Sequence, residues 1–225
     1  MPVTFGYLFA VPFAEVRMEN PEPLSRELTE LFLTREAAGE TYRSEVRRQT
    51  QYGPVFESRF DLFQWPDPPV KRLARFCHRA VAGVLENACD YSEDELQRLR
   101  FNYHAWFHVT RRGGYQGLHH HQNATWSGIY CVDPGDELPD RPESGAVRFH
   151  DPRASADQHI DAGNLRLKPA SRHQAHTFQH EMGKLLIFPS YLSHEIFAYE
   201  GDRPRIVAAF NCWVRMDDEP QANGH

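Results

Sequence analysis

The chain has 225 residues, 40 % hydrophobic and 25 % charged, the balance of an ordinary water-soluble globular domain. Its formal net charge of −6 gives no bulk attraction to nucleic acid or to an anionic membrane, and Arg47-Arg48 and Arg111-Arg112 read as small solvated spots. Four cysteines with no C-x-x-C pair read as free thiols. The start, Met1-Pro2-Val3-Thr4-Phe5, has no basic leader, and no apolar run approaches a membrane span, so a cytoplasmic protein is expected.

Residues 3–13 read as an extended apolar segment. Asn20-Pro21 then reads as a helix N-cap with proline in the first turn. Leu24, Leu28, Leu31 and Phe32 follow at helical spacing, with Gly39 as the stop. Residues 40–53 are polar and without a period, and 56–65 are a mixture that suits a strand or a loop. Asp67-Pro68-Pro69 opens a second helix, striped by Val70, Leu73, Cys77, Ala80, Val81, Val84 and Leu85, as expected of a scaffold helix packed on a sheet. Ser92 with Glu95 fits a capping box for one short helix.

Beyond about residue 100 the pattern changes to short apolar runs punctuated by Gly, Pro and Asp. The candidate strands are 101–109, 118–121, 125–132, 146–150, 175–179, 184–188, 195–199 and 205–214, with no long helix among them. Residues 131–144 and 151–173 are loops of the length at which lids and binding loops occur, and 217–225 reads as a flexible tail. The expected fold is α+β and mainly β. Its core would be a jelly roll, or double-stranded β-helix, over 101–216. A helical and strand extension over 1–100 would pack on it, the whole forming one globular domain.

Histidine is the unusual entry: there are 13, and most lie between His104 and His194. In the run His119-His120-His121, positions 119 and 121 have the i, i+2 relation that points two side chains the same way on a strand. They suit one metal, and His194 suits a third imidazole. Arg205, opening the next strand, offers a planar fork for a carboxylate beside that metal. Three protein ligands on one face, with the other positions left open, is the arrangement of non-haem iron oxygenases. Trp106 and His108 share a strand face with His104, either at the barrel mouth or in aromatic packing. Asn211 shares the Arg205 face by alternation. His150, His173, His176 and His180 read as loop or strand-end residues. Asp151, in Asp151-Pro152-Arg153, reads as a turn former and is the runner-up carboxylate ligand.

An ordered set of short pieces carries a family resemblance. They are Ala105-Trp106-Phe107, Gly113-Gly114-Tyr115-Gln116, His119-x-His121-x-Asn123 and Ser127-Gly128-Ile129-Tyr130. Phe149-x-Asp151-Pro152-Arg153, Gly183-x-Leu185-Leu186-Ile187-Phe188-Pro189, His194, and Arg205 followed by Phe210-Asn211 complete the set. Together they resemble the 2-oxoglutarate/Fe(II)-dependent oxygenase superfamily, most of all a bacterial and phage branch of it. The resemblance implies a double-stranded β-helix, Fe(II), 2-oxoglutarate as co-substrate and O₂. It implies His119, His121 and His194 as metal ligands, Arg205 on the distal carboxylate of 2-oxoglutarate, and Tyr130 as a further co-substrate contact; Asn211, by its place on the Arg205 face, is a further cofactor-binding candidate. No catalytic side chain is implied beyond the metal site.

The sequence departs from the superfamily pattern twice. The second ligand, usually Asp or Glu, is His121, and the Arg-x-Ser pattern that grips 2-oxoglutarate reads Arg205-Ile206-Val207. The leading expectation is a 2-oxoglutarate-dependent dioxygenase, a hydroxylase acting on a small molecule or peptide. Two alternatives stand beside it: a three-histidine iron dioxygenase that does not use 2-oxoglutarate, and a non-catalytic metal-binding or sensor jelly roll. The oligomeric state is open, a homodimer being one option.

Overall fold

A computed structural model describes residues 2–4, 6–7, 9–46, 48–121, 123–153, 159–168 and 171–218. In chain order its elements are β1 (Ala14–Arg17), α1 (Glu22–Ala37), β2 (Gln51–Tyr52), β3 (Val55–Glu57), α2 (Pro68–Ala88), α3 (Glu93–Arg98), β4 (Leu99–Thr110), β5 (Tyr115–His119), β6 (Trp126–Asp133), β7 (Val147–Phe149), β8 (His176–Phe178), β9 (Lys184–Pro189), β10 (His194–Ile196) and β11 (Arg205–Met216). They form a six-stranded sheet, β1-β9-β6-β11-β4-β3, and a five-stranded sheet, β2-β5-β10-β7-β8. This is the double-stranded β-helix, mainly β, with helices on one side. The first hundred residues contribute edges to both sheets: β1 and β3 to the larger one, β2 to the smaller.

Strict alternation along β4, β6 and β11 makes two different surfaces of the large sheet. Phe107, Val109, Tyr130, Val132, Ala208 and Phe210 face the helices, where they meet Leu28 and Phe32 of α1 and Leu73, Cys77 and Val81 of α2 in the main core. The other face looks toward the small sheet. There Ile129, Leu186, Phe188 and Val207 pack on Val147, Phe149 and Ile196 in a smaller core. Each buried aliphatic or aromatic side chain contributes roughly 1.5–3 kcal/mol relative to exposure.

Several expectations need correction. Helix α1 has Pro21, not Asn20, as its N-cap residue, and no side chain caps it, because Asn20 is turned into the left-handed region at φ 50°. The stretch after the extended N-terminus is itself a strand, β1, paired with β9 from Ala14 opposite Ile187 to Arg17 opposite Lys184. Strand β5 is shifted toward the N-terminus and stops at His119, so His121 lies beyond it. Of the expected tail, Asp217 and Asp218 are held by Arg98, at 3.0 and 2.8 Å, and 219–225 lie outside the described residues. The capping box is present, with Ser92 and Glu95 bonded reciprocally. In the second expected loop, 154–158 and 169–170 also lie outside the described residues. Among the described residues no helix is long and apolar enough to cross a membrane.

Candidate metal centre

The last residue of β5 and the first of β10 are direct partners, His119 opposite His194. That pairing brings together imidazoles far apart in sequence. His121 reaches the same place from outside the strand. Its backbone N–H donates to Ser190 O at 2.7 Å, in the turn between β9 and β10, so a loop contact replaces the expected strand alternation. Ring centroids stand 4.3 Å apart for His119–His194, 5.2 Å for His119–His121 and 5.4 Å for His121–His194. One ligand atom from each ring lies within 4.8 Å of the others.

Hydrogen bonds prepare two of the rings for ligation. His119 Nδ1–H donates to Gly117 O at 2.7 Å, and His194 Nδ1–H donates to Leu192 O at 2.9 Å. A carbonyl only accepts, so the proton sits on Nδ1 and the Nε2 lone pair is free, as in ligating histidines generally. Burial lowers the pKa of all three histidines. His121 falls to about 3, through burial first and then the neighbouring His119 ring and Arg48. Near neutral pH each imidazole therefore offers a lone pair rather than a charge. Among the described residues no carboxylate joins the group. Asp151 is turned away: it accepts from the Arg153 guanidinium at 2.9 Å, and chiefly that bond lowers its pKa to about 2.

Behind the histidines lies a small cavity of about 30 Å³, lined by His119, His121, His194, Thr110, Ser127 and Arg205. Arg205 opens β11 opposite Thr110 and is only 3 % exposed. Its Nε and Nη2 have no hydrogen-bond partner among the described residues. Burial lowers its pKa to about 10. A desolvated, unpaired guanidinium is costly, so this end of the cavity calls for an anion. The residues thus fit both groups that the chemistry requires: neutral nitrogen donors for a divalent metal, and a buried cation for a carboxylate.

The other two expected co-substrate contacts fall differently. Tyr130 lies on the helix-facing side of β6; its hydroxyl donates to Met18 Sδ at 3.4 Å and its ring meets Phe76, so the structure does not bring it to the cavity. Asn211 is on the inner face, where its Oδ1 accepts from Ser127 Oγ at 2.8 Å and its side chain lines a wider cleft of about 540 Å³ outside the histidines. The sequence reading missed Glu57, which also lines this cleft. Strand β3 sets it opposite His108, and His108 Nε2–H donates to Glu57 Oε2 at 2.9 Å.

A double-stranded β-helix in which three imidazoles converge in front of a buried arginine is an arrangement that suits the class of non-haem iron oxygenases, with imidazole where their usual triad has a carboxylate. Residues 104–211 match the model of a family described as "Putative 2OG-Fe(II) oxygenase". That segment, just under half of the chain, is what makes it similar to the 2-oxoglutarate- and Fe(II)-dependent oxygenases. Among solved structures it is similar to a Pseudomonas putida prolyl-4-hydroxylase, with 14 % identity and a TM-score of 0.61 over 92 % of this chain and 94 % of that one. It is similar also to a prolyl hydroxylase from Trichoplax adhaerens solved with a peptide fragment of hypoxia inducible factor, at 8 % identity and a TM-score of 0.58 over 89 % and 83 % of the two chains. A third relative in fold is HygX from Streptomyces hygroscopicus, solved with nickel and 2-oxoglutarate, at 13 % identity and a TM-score of 0.56 over 91 % and 83 %. No curated protein sequence matches.

Proposed function

We propose that this protein is a 2-oxoglutarate-dependent hydroxylase in which His119, His121 and His194 hold Fe(II) and Arg205 pairs with the distal carboxylate of 2-oxoglutarate. The observation that carries the reading is the buried Arg205 guanidinium. Its Nε and Nη2 lack partners among the described residues, and it lines the same cavity as the three histidines. Iron with bound 2-oxoglutarate supplies the oxidising power to put one atom of O₂ into a substrate C–H bond and the other into succinate. The chain itself contributes binding and orientation. Gly117 and Leu192 carbonyls hold the rings of His119 and His194, and Ser190 holds the backbone of His121. Phe149 and Phe188 pack against the His194 ring, at 5.6 and 5.0 Å between centroids, and keep water from that side. Four free cysteines are consistent with a reducing, cytoplasmic setting.

Anaerobic addition of 2-oxoglutarate to the Fe(II) protein is expected to give a metal-to-ligand charge-transfer band in visible light. Iron binding without that band sinks the reading in favour of a three-histidine dioxygenase or a non-catalytic metal protein. Arg205→Ala is expected to weaken 2-oxoglutarate on the order of 100-fold, the scale for truncating one member of a buried charge pair, and to spare iron. Equal loss of both would remove Arg205 from its assigned role. His121→Asp tests the ligand set: raised 2-oxoglutarate turnover without substrate means that imidazole restrains reactivity, and lost metal means that the pocket is built for imidazole.

A further inference from the structure

The cleft outside the histidines contains buried polar atoms that have no hydrogen-bond partner among the described residues. Glu57 is 7 % exposed, and while its Oε2 accepts from His108, its Oε1 has no partner among the described residues. The His108 ring is fixed from the other side by Gln116, whose amide donates to Nδ1 at 3.0 Å. With Nδ1 accepting, Nε2–H is the donor that Glu57 Oε2 receives. Trp106, 5 % exposed, has an indole N–H that is also unpartnered among the described residues. Leaving such groups unmatched is unfavourable, and more so for a charge.

The rest of the cleft selects the sign of the missing ligand. Phe60, Trp106 and Trp213 line it together with Glu57, and aromatic faces attract cations. Phe60 already carries the Arg48 guanidinium 5.0 Å from its centroid, but Arg48 is exposed and lies at the rim. A neutral donor would satisfy the hydrogen bond to Oε1 and leave the buried charge uncompensated; a protonated amine does both. His119 and His121 line the same cleft, so a molecule held there lies beside the metal centre.

We propose that the substrate carries a protonated amine, which docks on Glu57 Oε1 against the aromatic wall, and an oxygen acceptor elsewhere in the molecule for the Trp106 N–H. The proposal rests on the hydroxylase reading for what happens next, but recognition of the amine does not depend on it. Glu57 and Trp106 are specificity-determining residues. The amine belongs either to a free small molecule or to a lysine side chain in a polypeptide, and these sources are separable by experiment.

The test uses the Fe(II)- and 2-oxoglutarate-loaded protein without oxygen. It is titrated with phenethylamine and with a lysine-centred nonapeptide, each compared with its N-acetyl form. Tryptophan fluorescence and calorimetry report binding, since Trp106 and Trp213 line the cleft. At least one amine is expected to bind about tenfold or more tightly than its acetyl form, roughly 1.4 kcal/mol of charge recognition. Binding of phenethylamine assigns the free source; binding of the nonapeptide alone assigns the polypeptide. Glu57→Gln keeps the shape and removes the charge, and is expected to bring the preference below about twofold while the charge-transfer band persists. Glu57→Asp is expected to fall between, which guards against a variant that fails to fold. No preference for either amine, or a preference untouched by Glu57→Gln, overturns the proposal. A missing band with Glu57-dependent amine binding overturns the hydroxylase reading and leaves the amine site standing.

Discussion

The two faces of strands β4, β6 and β11 are made by alternate residues of the same strands, and the inner one adds buried polar groups to the small core around Ile129 and Val207. On the helix side Phe107 stacks on Phe32 at 4.2 Å, and Tyr130 and Phe210 fill the same core. On the inner side His108, Thr110, Ser127 and Arg205 are also buried, but they are polar. Phe107, Tyr130 and Phe210 on the first face are matched by apolar packing. Among the described residues, the second face leaves Arg205 Nε, Arg205 Nη2 and Trp106 Nε1 unmatched, and Glu57 Oε1 joins them from β3. Folding alone gains nothing from burying these atoms, so their partners are to be sought in bound ligands.

The sharpest way to break this comparison is to truncate one residue on each face. Phe107→Ala is expected to cost about 3–5 kcal/mol in urea unfolding, the range for emptying a buried aromatic site. The folded fraction should bind 2-oxoglutarate as before. A change in that affinity of more than a few fold would mean that the faces do not act separately. Arg205→Met should do the reverse. Replacing an unpaired buried cation with an apolar chain of similar length is expected to leave the ligand-free protein as stable, or more stable by about 1 kcal/mol or more, while 2-oxoglutarate binding is lost. Marked destabilisation of the ligand-free protein would assign Arg205 to the structure instead. Gly128→Ala probes the helix side again. A Cβ there would stand 2.3 Å from the Phe210 ring, and overpacking of this kind costs about 1–3 kcal/mol, read in the same urea experiment.

Acid separates the faces by charge. Burial holds His119, His121 and His194 below the ordinary value of 6.5, His121 at about 3. Between those limits the unfolded chain binds protons that the folded one refuses. Stability of the metal-free protein is therefore full above pH 6.5 and falls as the pH drops toward 3, by up to about 1.4 kcal/mol per pH unit for each histidine. Urea midpoints at pH 7.5 and 5.5 measure the slope, which His121→Leu should flatten. Equal slopes in the two proteins would mean that His121 is not the buried, neutral group described here.

Most of the second half of the chain was legible because alternation and turn residues are local signals. Each of the expected strands after residue 100 has a counterpart among β4–β11, shifted by a few residues. What was not legible depends on partners distant in sequence. Strand β1 exists through its pairing with β9, and Glu57 matters only because β3 sets it opposite His108. Alternation also gives two faces without saying which one looks inward. Ser127 and Ile129 face the small sheet, so the intervening parity sends Tyr130 to the helices. His121 shows a right convergence with a different cause, since the turn at Ser190 and not the strand pleat carries it to His194.

The smallest expected effect tests whether polarity or lack of a partner distinguishes the inner face. Ser127 is buried on that face and is fully engaged: its hydroxyl donates to Asn211 Oδ1 at 2.8 Å and lies 2.8 Å from Ser190 Oγ. Ser190 also supplies the carbonyl that holds the His121 N–H. If lack of a partner is what marks function, Ser127→Ala should behave like a structural substitution despite its location. The expected loss is about 1 kcal/mol in urea unfolding, the worth of a neutral hydrogen bond, with iron affinity lowered only a few fold through the Ser190 turn. An effect as large as that of Arg205→Met on 2-oxoglutarate binding would place Ser127 among the ligand-binding groups. It would also show that a side chain bonded within the protein can exchange that bond for one to the co-substrate.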